Sequence, residues 1–139
     1  MPALASYDYA VIRVVPDVER GECINVGVIL FCRTRRFLGV LIQVDTQRLC
    51  ALAPDLDLTV LQQQLDTIVL LCAGNAEAGP ISHLSQAERF HWLTAPRSTI
   101  IQTSPVHCGL CSDPEAALRQ LLVKMVPLHQ SEQARPEEA

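Results

Sequence analysis

The sequence predicts an α+β fold: a mainly antiparallel sheet of about four strands, a three-strand N-terminal meander plus a later strand, packed against three to four helices. Three observations lead there. Residues 7–44 contain three consecutive runs rich in apolar and β-branched side chains, separated by polar breaks. Residues 57–73 place leucines and an isoleucine at three- and four-residue steps, the period of a helix. Helix-start signals recur at Asp45, Ser85 and Asp113.

Residues 7–15 form the first strand and stop at Pro16, which has no amide to give a ladder. Residues 16–23 hold Asp17, Glu19, Arg20 and Glu22 around Gly21, too polar to bury and too long for a tight turn, so they read as an exposed loop. Residues 24–32 are apolar on both pleat faces: Ile24, Val26, Val28 and Leu30 on one, Gly27, Ile29 and Phe31 on the other. Such a strand belongs in the middle of a covered sheet. Asn25 and Gly27 interrupt it; a glycine here marks a bulge, a close approach or simple relief of twist, and twist relief is the leading reading. Arg33-Thr34-Arg35-Arg36 turns the chain into a third strand at 37–44. Three arginines on a turn suit phosphate or carboxylate, but a solvated tip accounts for them without a partner.

Asp45-Thr46 caps a short helix that runs through Ala53 to Pro54. The helix at 57–73 turns Leu58, Leu61, Leu65, Ile68 and Cys72 inward, leaves Gln62, Gln63 and Asp66 to solvent, and stops at Gly74-Asn75. Residues 74–81 read as a small-residue loop. Ser85 and Glu88 form a capping-box pattern that opens a helix carrying Phe90, Trp92 and Leu93, closed by Pro96. Residues 98–103 read as the fourth strand. The last helix begins at Ser112-Asp113-Pro114-Glu115, where cap, proline and early carboxylate agree, and buries Leu118, Leu121, Leu122 and Met125. Residues 1–126 thus read as one globular domain and 127–139, with little to bury, as a disordered tail.

Composition narrows the function classes. The chain has 139 residues, 49% hydrophobic and 19% charged, with a formal net charge of -4. That balance argues against a generic binder of phosphate backbones, so nucleic acid is not an expected partner. No apolar run approaches the length of a membrane span, and the first residues lack a basic region and apolar stretch, so the reading is cytoplasmic. Six cysteines in such a setting read as reduced thiols, with Cys32, Cys50 and Cys72 as small buried hydrophobes.

Two places attract chemistry. His107-Cys108-Gly109-Leu110-Cys111 sets two thiols three positions apart before a helix start, a spacing suited to a redox pair or, with His107, to three zinc ligands. A fourth ligand is unplaced and the βαβ setting of a thioredoxin-like site is missing, so ordinary turn residues are the leading reading and no cofactor is expected. The second place is the loop after the first strand, where Glu19, Arg20 and Glu22, with Arg13 before them and Asn25 beyond, combine acid, base and amide for a polar ligand or a partner's charges. His107 joins that cluster if the fourth strand pairs nearby. Nothing identifies a nucleophile.

The combination Tyr7-Asp8-Tyr9-Ala-Val-Ile-Arg13-Val-Val-Pro16, then Glu19-Arg20-Gly21-Glu22, Asn25-Val26-Gly27-Val-Ile-Leu-Phe31, and Ser104-Pro105-Val106-His107 before Asp113-Pro114 resembles the small bacterial proteins grouped as domain of unknown function 3037. The resemblance spans about residues 7–126 and is strongest from Arg-Gly-Glu to Asn-Val-Gly. It implies an interaction module, because genes of that family often lie beside one for a HipA-like kinase-related protein. It also implies that Cys108 and Cys111 are features of this chain alone, while Arg20, Glu22, Asn25 and Gly27 are a shared structural or binding feature. The expected function is therefore a non-enzymatic interaction or regulatory module presenting Arg13, Glu19, Arg20, Glu22, Asn25 and His107. Two alternatives accompany it. One is an enzyme or binding protein for a phosphate-bearing or nucleotide-like ligand, with Arg20, Arg33 or Arg36 holding charge and Glu22 or His107 moving protons. The other is the thiol or zinc site. No feature of the sequence sets the oligomeric state.

Overall fold

A strand apolar on both faces can be satisfied only between two layers, and the sheet is built around that requirement. The computed structural model describes residues 3–97 and 99–127. Strand β1 (Ala5–Val14), β2 (Ile24–Cys32) and β3 (Phe37–Ile42) form the antiparallel meander, with β2 in its middle. Strand β4 (Ile101–Thr103) pairs with the second half of β1, and β5 (His107–Cys111) with its first half. Among the described residues this gives five strands, in the order β3-β2-β1-β4 with β5 beside β1, and four α-helices: α1 (Thr46–Leu52), α2 (Leu58–Ala73), α3 (Gln86–Leu93) and α4 (Pro114–Met125). This is the α+β class the sequence predicts.

The two sheet faces carry two cores. On the first, Ala10, Ile12, Val14, Ile29 and Phe31 pack with Leu49 of α1, Leu61 and Leu65 of α2 and Phe90 and Leu93 of α3. On the second, Val28, Leu30 and Cys32 pack under Ala117 and Leu118 of α4. Leu121, Leu122 and Met125 are half-buried against that second core.

A bulge divides β2 and corrects the expected alternation. Ile12 faces Gly27 but Arg13 faces Asn25, so Val26 is an extra residue in the pairing with β1. Its carbonyl accepts the Gln43 amide at 2.7 Å. Ile24 and Val26 therefore share the first face with Ile29 and Phe31, while Val28 and Leu30 turn to the second. Gly27 follows from the same geometry: a Cβ there would lie 2.8 Å from the Leu41 carbonyl oxygen. Close approach, not twist relief alone, explains the glycine.

Local signals hold where backbone groups need side-chain partners. Asp45 accepts the Arg48 amide, Asp57 accepts the Thr59 and Val60 amides, and both halves of the Ser85–Glu88 capping box form. Gly74 ends α2 in the left-handed conformation at φ 72°. The expected loop at 74–81 instead contains two short 3-10 turns, Ala76–Ala78 and Pro80–His83. The arginine turn is tied down: Arg35 donates to the Ser112 and Ala3 carbonyls at 2.7 and 2.6 Å.

Three other expectations change. Residues 107–111 form a strand instead of a turn, because β4 covers only the last part of the ten-residue β1 and leaves the rest of its edge to pair. Cys50, read as a small buried hydrophobe, is exposed. The expected fourth strand shortens to Ile101–Thr103; Ser98 and the expected tail from 128 onward lie outside the described residues.

Candidate functional site

The site is assembled where β1 and β2 end beside the charged loop. Just past the bulge, Arg13 of β1 and Asn25 of β2 stand opposite each other. The Asn25 Nδ2 donates to the Met125 carbonyl at 2.9 Å, and the Gln43 Nε2 donates to the Val126 carbonyl at 2.8 Å. These are carbonyls at the end of α4, which have no intrahelical amide to accept. Satisfying them fixes the helix end beside Arg13. From the other side, Asp45 caps α1 and so sets Arg48 at the same opening.

Arg13, Cys23, Ile24, Asn25, Arg48, Met125 and Pro127 line a cavity of about 400 Å³. Cys23, Ile24 and Arg48 also line an adjoining cavity of about 630 Å³, completed by Glu22, Ala51 and Leu52. The two form one cleft. The smaller cavity is lined by two arginines, Arg13 half-buried and Arg48 exposed, and by no carboxylate; Glu22 lines the larger one. The Arg13 Nε is buried without a hydrogen-bond partner, and neither arginine has an ion-pair partner among the described residues. Buried polar groups are ordinarily satisfied, and a buried charge is costly unless it is paired. The chemistry such a pair favours is binding a carboxylate or phosphate.

The loop residues are organised among themselves. The Asp17 carbonyl accepts the Arg20 and Gly21 amides at 3.1 Å, and its carboxylate accepts the Glu19 amide at 3.0 Å. Gly21 has φ 73°, which explains a glycine at the turn. Arg20 and Glu22 pair at 2.6 Å with side chains 64% and 49% exposed, so the pair contributes at most about 1 kcal/mol. Arg13, Glu22 and Asn25 thus reach the cleft; Glu19 and Arg20 remain on the exposed loop.

His107 does not join them. It lies opposite Tyr9, their rings 5.5 Å apart between centroids, four residues along β1 from Arg13. At roughly 3.3 Å per residue that is about 13 Å. The reason is that His107 belongs to β5, which pairs with the other half of β1 from β4.

The strand also separates the two thiols. Cys108 and Cys111, three residues apart on β5, lie on opposite faces, about 10 Å apart along the strand, against the roughly 7 Å Cα limit for a disulfide. Cys108 is exposed and Cys111 buried. Burial pushes the Cys111 thiol up, with Cys32 adding to the shift, the opposite of the thiolate stabilisation a redox pair needs. Among the described residues no three His, Cys, Asp or Glu side chains come together as a metal site.

Sequence reasoning missed Arg48 and Met125, which come from separate helices and converge only through the fold. The one local hint was Asp45, whose cap fixes the register of α1 and with it Arg48. No described helix is long and apolar enough to cross a membrane. A family model described as protein of unknown function (DUF3037) matches residues 9–126. No curated protein and no solved structure matches the chain.

Proposed function

The chain belongs to the DUF3037 family of proteins of unknown function, and from that premise we propose that it is a non-enzymatic, cytoplasmic interaction module that docks an acidic side chain of a protein partner in the Arg13–Arg48 cleft. The observation that supports this most is the buried, unpartnered Nε of Arg13, in a cavity that also holds a second arginine and no acid. A carboxylate presented by a partner would satisfy Arg13 and stand within the same lining as the exposed Arg48, because a guanidinium can meet it with two parallel hydrogen bonds. The partner that the family resemblance suggests is a HipA-like kinase-related protein.

A binding role is favoured over catalysis by where the proton-moving groups sit. Glu22 is held by Arg20, and His107 stands farther along β1. A phosphate-bearing or nucleotide-like ligand is the second reading, favoured by the same two arginines.

The test is calorimetric titration of the purified chain with the proposed HipA-like neighbour and, separately, with nucleotides and inorganic phosphate. Arg13→Met and Arg48→Met should each weaken binding of the neighbour by at least about tenfold, while Arg20→Ala, at the exposed rim, changes it by less than about threefold. Saturable nucleotide binding that needs Arg13 would move the assignment to the second reading. A neighbour bound equally well by both methionine variants would remove the cleft from the interaction.

A further inference from the structure

A second groove runs along the seam between α2 and β4 and shares no residue with the arginine cleft. Its narrower end, about 120 Å³, lies between Leu56, Val60 and Leu61 on one side and Ile100 on the other. Its wider end, about 300 Å³, lies between Ile68 and Leu71 and the group Trp92, Arg97 and Ile101. Gln64 lines both, so the two adjoin along α2. From Val60 to Leu71 the helix rises about 17 Å, the reach of roughly five extended residues.

Three features of the groove describe its occupant. The first is backbone. The Val15 amide donates to the Ile100 carbonyl at 2.6 Å and the Ser104 amide to the Val11 carbonyl at 2.8 Å, so the even-numbered residues of this edge face β1. Ile101 and Thr103 therefore turn their peptide groups outward. The Thr99 hydroxyl donates to the Ile101 carbonyl at 2.7 Å, while the Ile101 and Thr103 amides have no partner among the described residues. The second is apolar surface: Val60, Trp92 and Ile100 are 45%, 41% and 39% exposed. The third is charge. Arg97 stacks 4.4 Å from the centre of the Trp92 ring and donates to the Trp92 carbonyl, which fixes it at the wide end, and no carboxylate lines that end.

We propose that this groove binds an extended peptide of a protein partner, added as a strand to the outer edge of β4, with apolar side chains against Val60 and Ile100 and a carboxylate on Arg97. Main-chain hydrogen bonds to an edge strand with alternate side chains in pockets are an established mode of peptide recognition. The polarity comes from the groove: the Asp57 carboxylate, which caps α2, lies at the end away from Arg97. A peptide carrying its acid at one terminus fits in one direction only.

The probe is a phage-displayed library of random dodecapeptides panned on the full chain, with the enriched peptides synthesised and titrated by fluorescence anisotropy. Enriched sequences should alternate apolar residues and place Asp, Glu or the terminal carboxylate at one end. Their binding should fall by about tenfold or more in Val60→Glu and in Arg97→Glu, and stay unchanged in Arg13→Met, which separates this groove from the proposed partner cleft. Val60 is a solvent-facing position, so its variant reports on the groove even if Arg97→Glu loosens the loop. Peptide binding should also slow hydrogen exchange at the Ile101 and Thr103 amides. Panning that enriches nothing beyond an empty-bead control, or peptides that ignore Val60→Glu and leave both amides unprotected, would overturn the proposal. So would concentration-dependent dimerisation abolished by Val60→Glu without peptide selection, which would assign the groove to a second copy of the chain.

Discussion

At Cys72 burial sets the chemistry of a side chain that sequence alone marks only as a small hydrophobe. The thiol lies on the inner face of α2 and is 3% exposed. Burial pushes it up from the ordinary 9.0 to about 12, with the Arg89 charge pulling weakly the other way. The folded state therefore holds the neutral thiol to higher pH than the unfolded chain does. Below about 9 both states are neutral and the group contributes nothing to pH dependence; between about 9 and about 12 the unfolded state ionises first, and stability falls. Urea midpoints followed across that window should decline more steeply for the native chain than for Cys72→Ala, which lacks the group. Parallel declines would show that the thiol is accessible to water when folded. Asp45 makes a second case. It is 4% exposed, one carboxylate oxygen caps α1 and the other has no partner. Asp45→Ala should lower stability by about 1 kcal/mol in urea unfolding and weaken partner binding in the cleft through Arg48, whereas Asp45→Asn, which keeps the cap, should do neither.

Among the elements, the joint between β4 and β5 shows why part of the fold was legible in the sequence and part was not. Strands β1 to β3 carry apolar and β-branched runs, a proline stop and polar turns, and helices α1 to α4 carry their own caps, so each is specified within its own residues. Strand β5 is not: His-Cys-Gly-Leu-Cys has no β-branched residue and no alternation, and it forms because the first half of β1 leaves an edge unpaired. The device that joins the two short strands is Ser104. Its amide donates to the Val11 carbonyl at 2.8 Å, its Oγ accepts the Val11 amide at 2.9 Å and donates to the Pro105 carbonyl at 2.9 Å, and the residue is buried. The side chain stands in for a ladder partner where the strand breaks. Ser104→Ala leaves the Val11 amide buried and unsatisfied, at a cost of about 1–3 kcal/mol in urea unfolding and faster hydrogen exchange at that amide. Exchange unchanged at Val11 would mean that water replaces the hydroxyl. The candidate site divides in the same way. Arg13, Glu22 and Asn25 lie within one stretch of sequence that could be read as a cluster, but Arg48 and Met125 reach the cleft only after α1 and α4 have packed.

On the scale of the whole molecule, β2 is the wall that both cores share. Ile29 and Phe31 face one layer of helices, Val28 and Leu30 face α4, and Ile29, Val28 and Leu30 are each at most 1% exposed. Neither layer can leave without exposing a strand that has no polar face to offer water. Such coupling favours one cooperative transition over stepwise loss of α4. Leu65→Ala under α2 and Leu118→Ala under α4 remove comparable buried side chains from opposite faces, and each should destabilise by about 2–5 kcal/mol. The informative quantity is the shape of the transition. If the layers are coupled through β2, both variants shift the far-ultraviolet circular dichroism and the Trp92 fluorescence together, although Trp92 sits in α3 on the face away from Leu118. If Leu118→Ala instead produces an early dichroism change that the fluorescence does not follow, α4 unfolds as a separate unit. The arginine cleft would then be expected to open at the same denaturant concentration, because Met125 and Pro127 form part of its lining while Asn25 and Gln43 are the hydrogen bonds that hold the end of that helix in place.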